Sequence, residues 1–448
     1  MIFRKRNDVA KKLQIGIILI VAGISLGLIA WWVSNDPTAD FSESKPGMDN
    51  RGEGKGFVEN VDIGAHFTSF DVNVEQMDET WPRFRGSEYD NIYKTDISLK
   101  NKFKEGGPDI LWSVELGEGH AGPAIYEGLV YLLDYDEEKK ADMLRCFNLK
   151  TGEEVWRRWY NVNIKRNHGM SRTVPAVTED YILTIGPRCH VMCVERESGD
   201  FLWGINIEKE FESEVPLWYT GQCPLIDNDV AVISTVGKSL MIGVDCESGE
   251  ILWEVSNEKQ WKMSHSSILP FTFEGQKMYV YSAIGGIVGI SPEGEKLWES
   301  TAWDHSVIAP APVCMPDGKI FLTAGYGAGA MMLQLSKTNG NFEVEVLDEY
   351  KPSEGLASEQ QTPIYYKEHL FSILPKDGGS LRNQLVCVHP DDTKNIVWSS
   401  GKTKRFGLGP YIVADDKVYL LKDDGTLFIL DATTREYREL EQVDLLEG

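Results

Sequence analysis

The sequence carries no Gly-x-Ser-x-Gly elbow, no His-Glu-x-x-His pair and no zinc-type ligand spacing. The usual marks of serine hydrolases and zinc enzymes are therefore missing. Its 7 cysteines include no adjacent pair, and the nearest two, Cys189 and Cys193, lie four apart. That excludes haem- and cluster-type cysteine sets and leaves few or no disulfides to expect. Basic charge is also scarce. Against 69 Asp and Glu stand 45 Lys and Arg, a net charge of −24, which argues against nucleic acid or an anionic lipid surface as ligand. Helical periodicity of useful length is absent beyond the N-terminus, so a helical bundle is excluded.

What the chain does have is a beat. Trp112, Trp156, Trp203, Trp253, Trp298 and Trp398 are separated by 44, 47, 50, 45 and 100 residues. Pro123, Pro175, Pro224, Pro270, Pro312, Pro363 and Pro410 follow at intervals of 52, 49, 46, 42, 51 and 47. A repeat of roughly 40–50 residues built from short strands means a solenoid or a propeller. Each copy opens on a Pro and a short apolar run, as at Gly122-Pro123-Ala124-Ile125. A polar turn then leads to a β-branched and aromatic run such as Leu129-Val130-Tyr131-Leu132-Leu133. A third run, as at His190-Val191-Met192-Cys193-Val194, precedes a Gly turn and the strand that bears the Trp. Proline is tolerated at a strand's first residue. Four antiparallel strands per unit predict an all-β fold, a propeller of four-stranded blades that hides its sheet edges by radial repetition. Cys146, Cys193 and Cys387 share one third-strand position and read as small buried residues. The recurrent Trp reads as inter-blade packing.

Fourth-strand positions number eight, counting 110–116 around Trp112, whereas complete sets of the first three strands number seven. Two readings follow: an eight-bladed ring whose last blade is incomplete in this sequence, cut short by roughly 30 residues, or a seven-bladed ring with an extra edge strand. The count favours eight.

Residues 13–33 are 21 consecutive positions without a charge, enough for a helix crossing a hydrocarbon core of about 30 Å. Arg4, Lys5, Arg6, Lys11 and Lys12 precede it, and no basic cluster follows closely. The positive-inside rule then predicts a cytoplasmic basic tail at 1–12, a single-pass anchor in the inner membrane at 13–33 and an extracytoplasmic remainder. A cleaved signal peptide is the alternative; Ala30-Trp31-Trp32 is a poor small-residue cleavage site. Residues 34–80, rich in Gly, Asp, Glu, Asn and Ser, read as a tether with local packing through Phe67, Phe70 and Val72. The propeller is expected over 81–448.

Connections between blades lie on one face, beside the central funnel, and polar side chains gather there. His120, His168, Arg172, Tyr219, Gln222, His265, His305, Gln361 and Arg405 form the candidate rim for a small ligand. The competing reading is structural, because inter-blade loops need side chains to satisfy backbone groups. No metal is expected, since these histidines surround the axis rather than converge on a point. No catalytic set is discernible.

The blade pattern, with Gly152-Glu153-Glu154-Val155-Trp156, Gly199-Asp200-Phe201-Leu202-Trp203 and Gly249-Glu250-Ile251-Leu252-Trp253, resembles the pyrroloquinoline quinone (PQQ)-like propeller repeat. The opening segment Trp81-Pro82-Arg83-Phe84-Arg85-Gly86 is similar to that of membrane-anchored or secreted bacterial members. The resemblance implies a fold and, by branch, different functions. Quinoprotein alcohol dehydrogenases bind PQQ and calcium in the funnel beneath adjacent cysteines, which this chain lacks, and no calcium set can be placed. PQQ and calcium are therefore unsupported by motif, and no catalytic residue carries over. The BamB branch is a non-enzymatic scaffold of outer-membrane assembly, which implies an envelope or membrane protein partner. The leading expectation is a binding or scaffold module. An oxidoreductase using the funnel is the alternative, and a carbohydrate- or peptide-binding propeller, resting on Trp218, Tyr219, Trp261 and Trp303 as exposed aromatics, is a third.

Overall fold

The computed structural model describes residues 2–34, 60–105, 107–165 and 169–446. Two compact units appear, 1–54 and 55–448. In the first, helix α1 (Ile2–Ser34) contains Ile15–Trp32, whose mean hydropathy of 2.4 and length suffice to cross a membrane.

The second unit is a ring of seven antiparallel sheets, each a four-strand meander in chain order. Blades 1 to 7 span 124–161, 176–206, 225–256, 269–300, 313–350, 364–399 and 411–444. The first strand of blade 2 touches those of blades 1 and 3, and the Trp-bearing fourth strands stand at the opposite edge of their sheets. The recurrent Trp acts between blades. A Cβ added at Gly199 would fall 3.0 Å from the Trp156 ring, one at Gly249 2.7 Å from Trp203, and one at Gly294 2.8 Å from Trp253. These turn glycines also hold φ near +70 to +85°, so position and space both demand Gly. Within a blade, each of these Trp residues faces a small residue on the third strand. Trp156 pairs with Cys146, Trp203 with Cys193, Trp253 with Gly243, Trp298 with Gly289 and Trp398 with Cys387. All seven cysteines are free thiols.

Among the described residues seven blades are complete, as the strand count predicts. Segment 110–116, counted as a fourth strand, joins none of their sheets, because no described third strand lies beside it to complete a ladder. It keeps the inter-blade contact all the same. The Trp112 ring covers Gly152, and its Nε1 donates to Leu149 O at 2.8 Å, as Trp203 Nε1 does to Cys246 O at 2.8 Å.

Two sheets gain a fifth strand. β1 (His66–Ser69) pairs antiparallel outside the fourth strand of blade 1. Phe67 and Phe70 lie under Arg158 and Arg157, 4.6 and 5.3 Å from the guanidinium carbons. The described part of the stretch read as a tether, 60–80, thus packs in part on the propeller.

β2 (Ile92–Tyr93) pairs parallel with the innermost strand of blade 7. It ends a segment, 81–93, that runs across the centre of the ring. Trp81 bridges Ile125 of blade 1, Val177 N of blade 2 donates to Pro82 O at 2.9 Å, and Arg83 donates to Ile226 O of blade 3 at 3.4 Å. Arg85, only 6% exposed, donates to Thr362 O and Pro363 O at blade 6, and to Tyr89 O at 2.7 Å. Asn91 Nδ2 donates to Tyr411 O at 2.7 Å. Arg85, Tyr89 and Asn91 all sit at φ near +60°, a backbone strain that persists only where surrounding contacts hold it. The chain's own segment therefore fills the axis. Arg85→Ala should expose three carbonyl groups to an unpaired state and lower stability by about 3 kcal/mol. Denaturant melts read the loss, and faster amide exchange over 81–93 should accompany it.

Candidate functional site at the rim of the funnel

Most of the predicted rim residues serve the backbone. Gln222, 1% exposed, donates Nε2 to Ser234 O at 2.8 Å and accepts from Ser234 Oγ at 2.5 Å. Tyr219 Oη donates to Lys165 O at 2.9 Å and accepts from Lys165 N at 3.0 Å. Gln361 donates to Gly409 O at 3.3 Å, tying blade 6 to blade 7. Arg405 donates to Lys402 O at 3.2 Å and to Arg382 O. His120 is exposed, and its backbone N–H donates to Ser171 O at 2.7 Å. His305 stands edge-on to Trp303 at 4.3 Å; burial pushes its imidazole down, against Glu349 and Asp304. His168 lies outside the described residues.

Three of the predicted residues do come together. Arg172 donates to Gly169 O at 3.1 Å, and its charge faces Tyr219 and Tyr326. Trp218 stacks on His265 at 6.1 Å and on Tyr326 at 5.8 Å. Lys376 Nζ lies 5.1 Å from the centre of the Tyr326 ring and 3.1 Å from Glu359 Oε1. Arg172, Tyr219 and His265 thus share a cluster with Trp218, Tyr326, Glu359 and Lys376. Tyr326 was missed because it lies in a Gly-rich loop, joining Lys319–Ala324 to Gly329–Thr338, that carries no motif of its own; the loop sets its ring on Trp218. Trp218, Tyr219, Trp261 and Trp303, expected as exposed aromatics, are 7, 3, 6 and 1% exposed. That correction removes the aromatic platform on which a carbohydrate site was premised.

Burial, with the Arg172 charge adding to it, pushes His265 down to about 4. The imidazole is neutral at physiological pH. A folded value below the ordinary 6.5 means stability fully present above 6.5 and lost as pH falls through about 4. An NMR titration of His265 should show a midpoint near 4, with no transition at 6–7.

A second buried polar cluster lies between blades 1 and 2. Tyr160 Oη donates to Asp142 Oδ2 at 2.7 Å, and Tyr160 meets His190 edge-on at 5.4 Å. Burial drives Asp142 up to about 7, despite the Tyr160 bond and with Asp134 adding to the rise. His190, bonded to Asn206 at 3.2 Å, is pushed down to about 3 by burial and then by Arg188. Asp142 is thus a carboxyl that folding keeps protonated. Stability from it is present below about 4 and lost as pH rises through 7, an effect on the order of 3 kcal/mol. Asp142→Asn keeps an acceptor for Tyr160 and should flatten the pH dependence of melting between 4 and 7.

Among the described residues no three His, Cys, Asp or Glu side chains are grouped to hold a metal ion. Two small pockets, of about 110 and 240 Å³, lie away from the rim cluster, against Gly355 and Leu374 and against Asp62 and Phe201. A calcium-held quinone would need a carboxylate or carboxamide set at the axis. There Arg85 stands instead, bonded to main-chain carbonyls.

Residues 139–343 match the family model described as outer membrane protein assembly factor BamB. Solved structures share the fold. A europium-containing methanol dehydrogenase is 11% identical, with a TM-score of 0.58 over 84% of this chain and 87% of the other. Quinohemoprotein alcohol dehydrogenase from Comamonas testosteroni is 11% identical, with a TM-score of 0.54 over 82% and 73%. BamB from Moraxella catarrhalis is 12% identical, with a TM-score of 0.49 over 75% and 92%. No curated protein sequence matches the chain.

Proposed function

We propose that this propeller is a membrane-anchored, extracytoplasmic binding or scaffold module of a bacterial envelope assembly. The observation that carries the reading is the occupied axis. Segment 81–93 bonds to the inner strands of blades 1, 2, 3, 6 and 7, and most rim side chains outside the Arg172, Tyr219 and His265 cluster brace loops. The match of 139–343 to the BamB family model supports it, as do α1 and the basic residues ahead of Ile15–Trp32, which favour a cytoplasmic N-terminus.

The oxidoreductase reading loses support on the chemistry of the donor set, since the axis offers the Arg85 guanidinium where a calcium ion would need carboxylate or carboxamide oxygens. Affinity capture of the full chain from solubilised membranes should recover one envelope protein in stoichiometric amount. A clean monomer that reduces dye with alcohols when PQQ and calcium are added would reject the proposal.

A further inference from the structure

We infer that two bonded loops of blade 6, 374–384 and 400–408, form a docking patch for an acidic segment of a partner protein. The inference rests on the binding-module reading and deepens it by naming the face and the chemistry that docks there. The first loop joins His369–Ile373 to Leu385–His389, and the second leads from Asp392–Ser399 to blade 7. Together they carry Lys376, Arg382, Lys402, Lys404 and Arg405, against Asp377 as their acid. The chain as a whole runs the other way, with 69 Asp and Glu to 45 Lys and Arg.

Hydrogen bonds join the two loops into one platform. Leu374 N donates to Gln384 O and Asn383 N to Leu374 O, both at 2.9 Å, and a single helical turn, Gly379–Leu381, forms the tip. Phe406 N donates to Asn383 O at 2.8 Å, and the Phe406 ring, 1% exposed, stands edge-on to Phe428 at 5.1 Å. Arg405 Nε donates to Lys402 O at 3.2 Å, and its Nη1 donates to Arg382 O. One guanidinium thus ties together the backbones that carry two further cations. Holding the three in place before a partner arrives removes part of the ordering cost of binding.

Carboxylates already hold the outer cations of the platform. Lys376 lies 3.1 Å from Glu359, and Lys404 lies 2.8 Å from Glu439 of blade 7. Between them Arg382, Lys402 and Arg405 form no ion pair among the described residues. Asp377 instead accepts from Gly327 N at 3.0 Å, and Asp423 accepts from Leu408 N at 3.0 Å. Leu408, 39% exposed, adds an apolar contact beside the charges. In a chain where acids are in excess, three neighbouring cations without a carboxylate are charge left for another molecule to match. That molecule is a short acidic segment and not a membrane or a nucleic acid. The patch is two loops wide, and charges act over about 8 Å at physiological salt. An extended polyanion would set most of its charge against a protein of net −24, whereas a few carboxylates on one segment fit within the patch. The same net charge disfavours a second copy of this chain.

The test uses the full chain in detergent and a fluorescein-labelled hexaglutamate peptide. Anisotropy should show binding that weakens about tenfold between about 0.05 and 0.3 M NaCl. Arg382→Glu combined with Lys402→Glu should weaken it about tenfold or more at the lower salt and remove the peptide's protection of amides in 376–384 and 400–408. Both side chains are exposed and make no hydrogen bond or ion pair among the described residues, so the melting temperature should hold. Lys139→Glu combined with Lys140→Glu makes the same change of net charge on an exposed turn of blade 1 and should leave binding within about twofold. No binding, or equal losses in the two double variants, overturns the inference. So does binding to phosphatidylserine vesicles in place of the peptide, or a sedimenting dimer that the blade 6 variant dissociates. In membrane capture, loss of the partner with the blade 6 variant supports the patch, and retention overturns it while leaving the scaffold reading intact. Absence of any partner for the wild-type chain sinks the scaffold reading alone, and the peptide result still decides whether the patch binds acidic segments.

Discussion

The ring depends on a tryptophan laid over the glycine turn of the next blade, with a small residue behind it on its own sheet. Trp112 on Gly152, Trp156 on Gly199, Trp203 on Gly249 and Trp253 on Gly294 repeat one contact over blades 1 to 4. Burying such a side chain is worth about 2–3 kcal/mol. An exposed ion pair such as Lys104–Asp109 or Lys262–Glu214 gives about 0–1 kcal/mol. The packing term wins, and it fixes composition at three positions at once: Trp on the fourth strand, Gly in the following turn, and Cys or Gly across the ladder. The cysteines need no redox role to be explained, because a larger side chain there would displace the ring.

That constraint sets the spacing of the blades but leaves the axis and the rim to be filled by other means. Sheet faces pack against one another, yet the inter-blade loops bring backbone groups that no ladder satisfies. Gln222, Tyr219, Gln361 and Arg405 answer that need with side-chain bonds to carbonyls. At the axis the same need is met by 81–93, with Arg85 held against three main-chain oxygens. Polar residues at a funnel are therefore consistent with bracing. What departs from bracing is the Trp218–Tyr326 stack with Lys376 and Glu359 beside it, where side chains from separate blades meet one another rather than the backbone.

The blade pattern was legible because it is local and periodic. The Trp and Pro intervals, the strand runs and the shared Cys position needed no knowledge of tertiary contacts, and they predicted the sheets and the burial of Cys146, Cys193 and Cys387. The central segment was not legible as a plug. Arg85 reaches carbonyls 277 and 278 residues away, and no spacing rule announces a contact of that range. Trp81-Pro82-Arg83-Phe84-Arg85-Gly86 stood out as a motif, with nothing in it to say that it crosses the ring. The exposed aromatics failed for a related reason. Loop position suggested solvent, whereas Trp218, Trp261 and Trp303 pack beneath neighbouring elements.

The lone strand at 110–116 was legible in the count of strands, since Trp112 carries every local sign of a fourth strand and even makes the contact of one. A Trp-on-Gly contact and a β-ladder are separate interactions. The first needs only a following blade, which 110–116 has, and the second needs a third strand beside it, which none of the described residues supplies. The ring between blades 7 and 1 is thus held by one extended layer with contacts on both sides and no cross-strand bonds of its own. Such a layer opens more easily than the sheets that flank it.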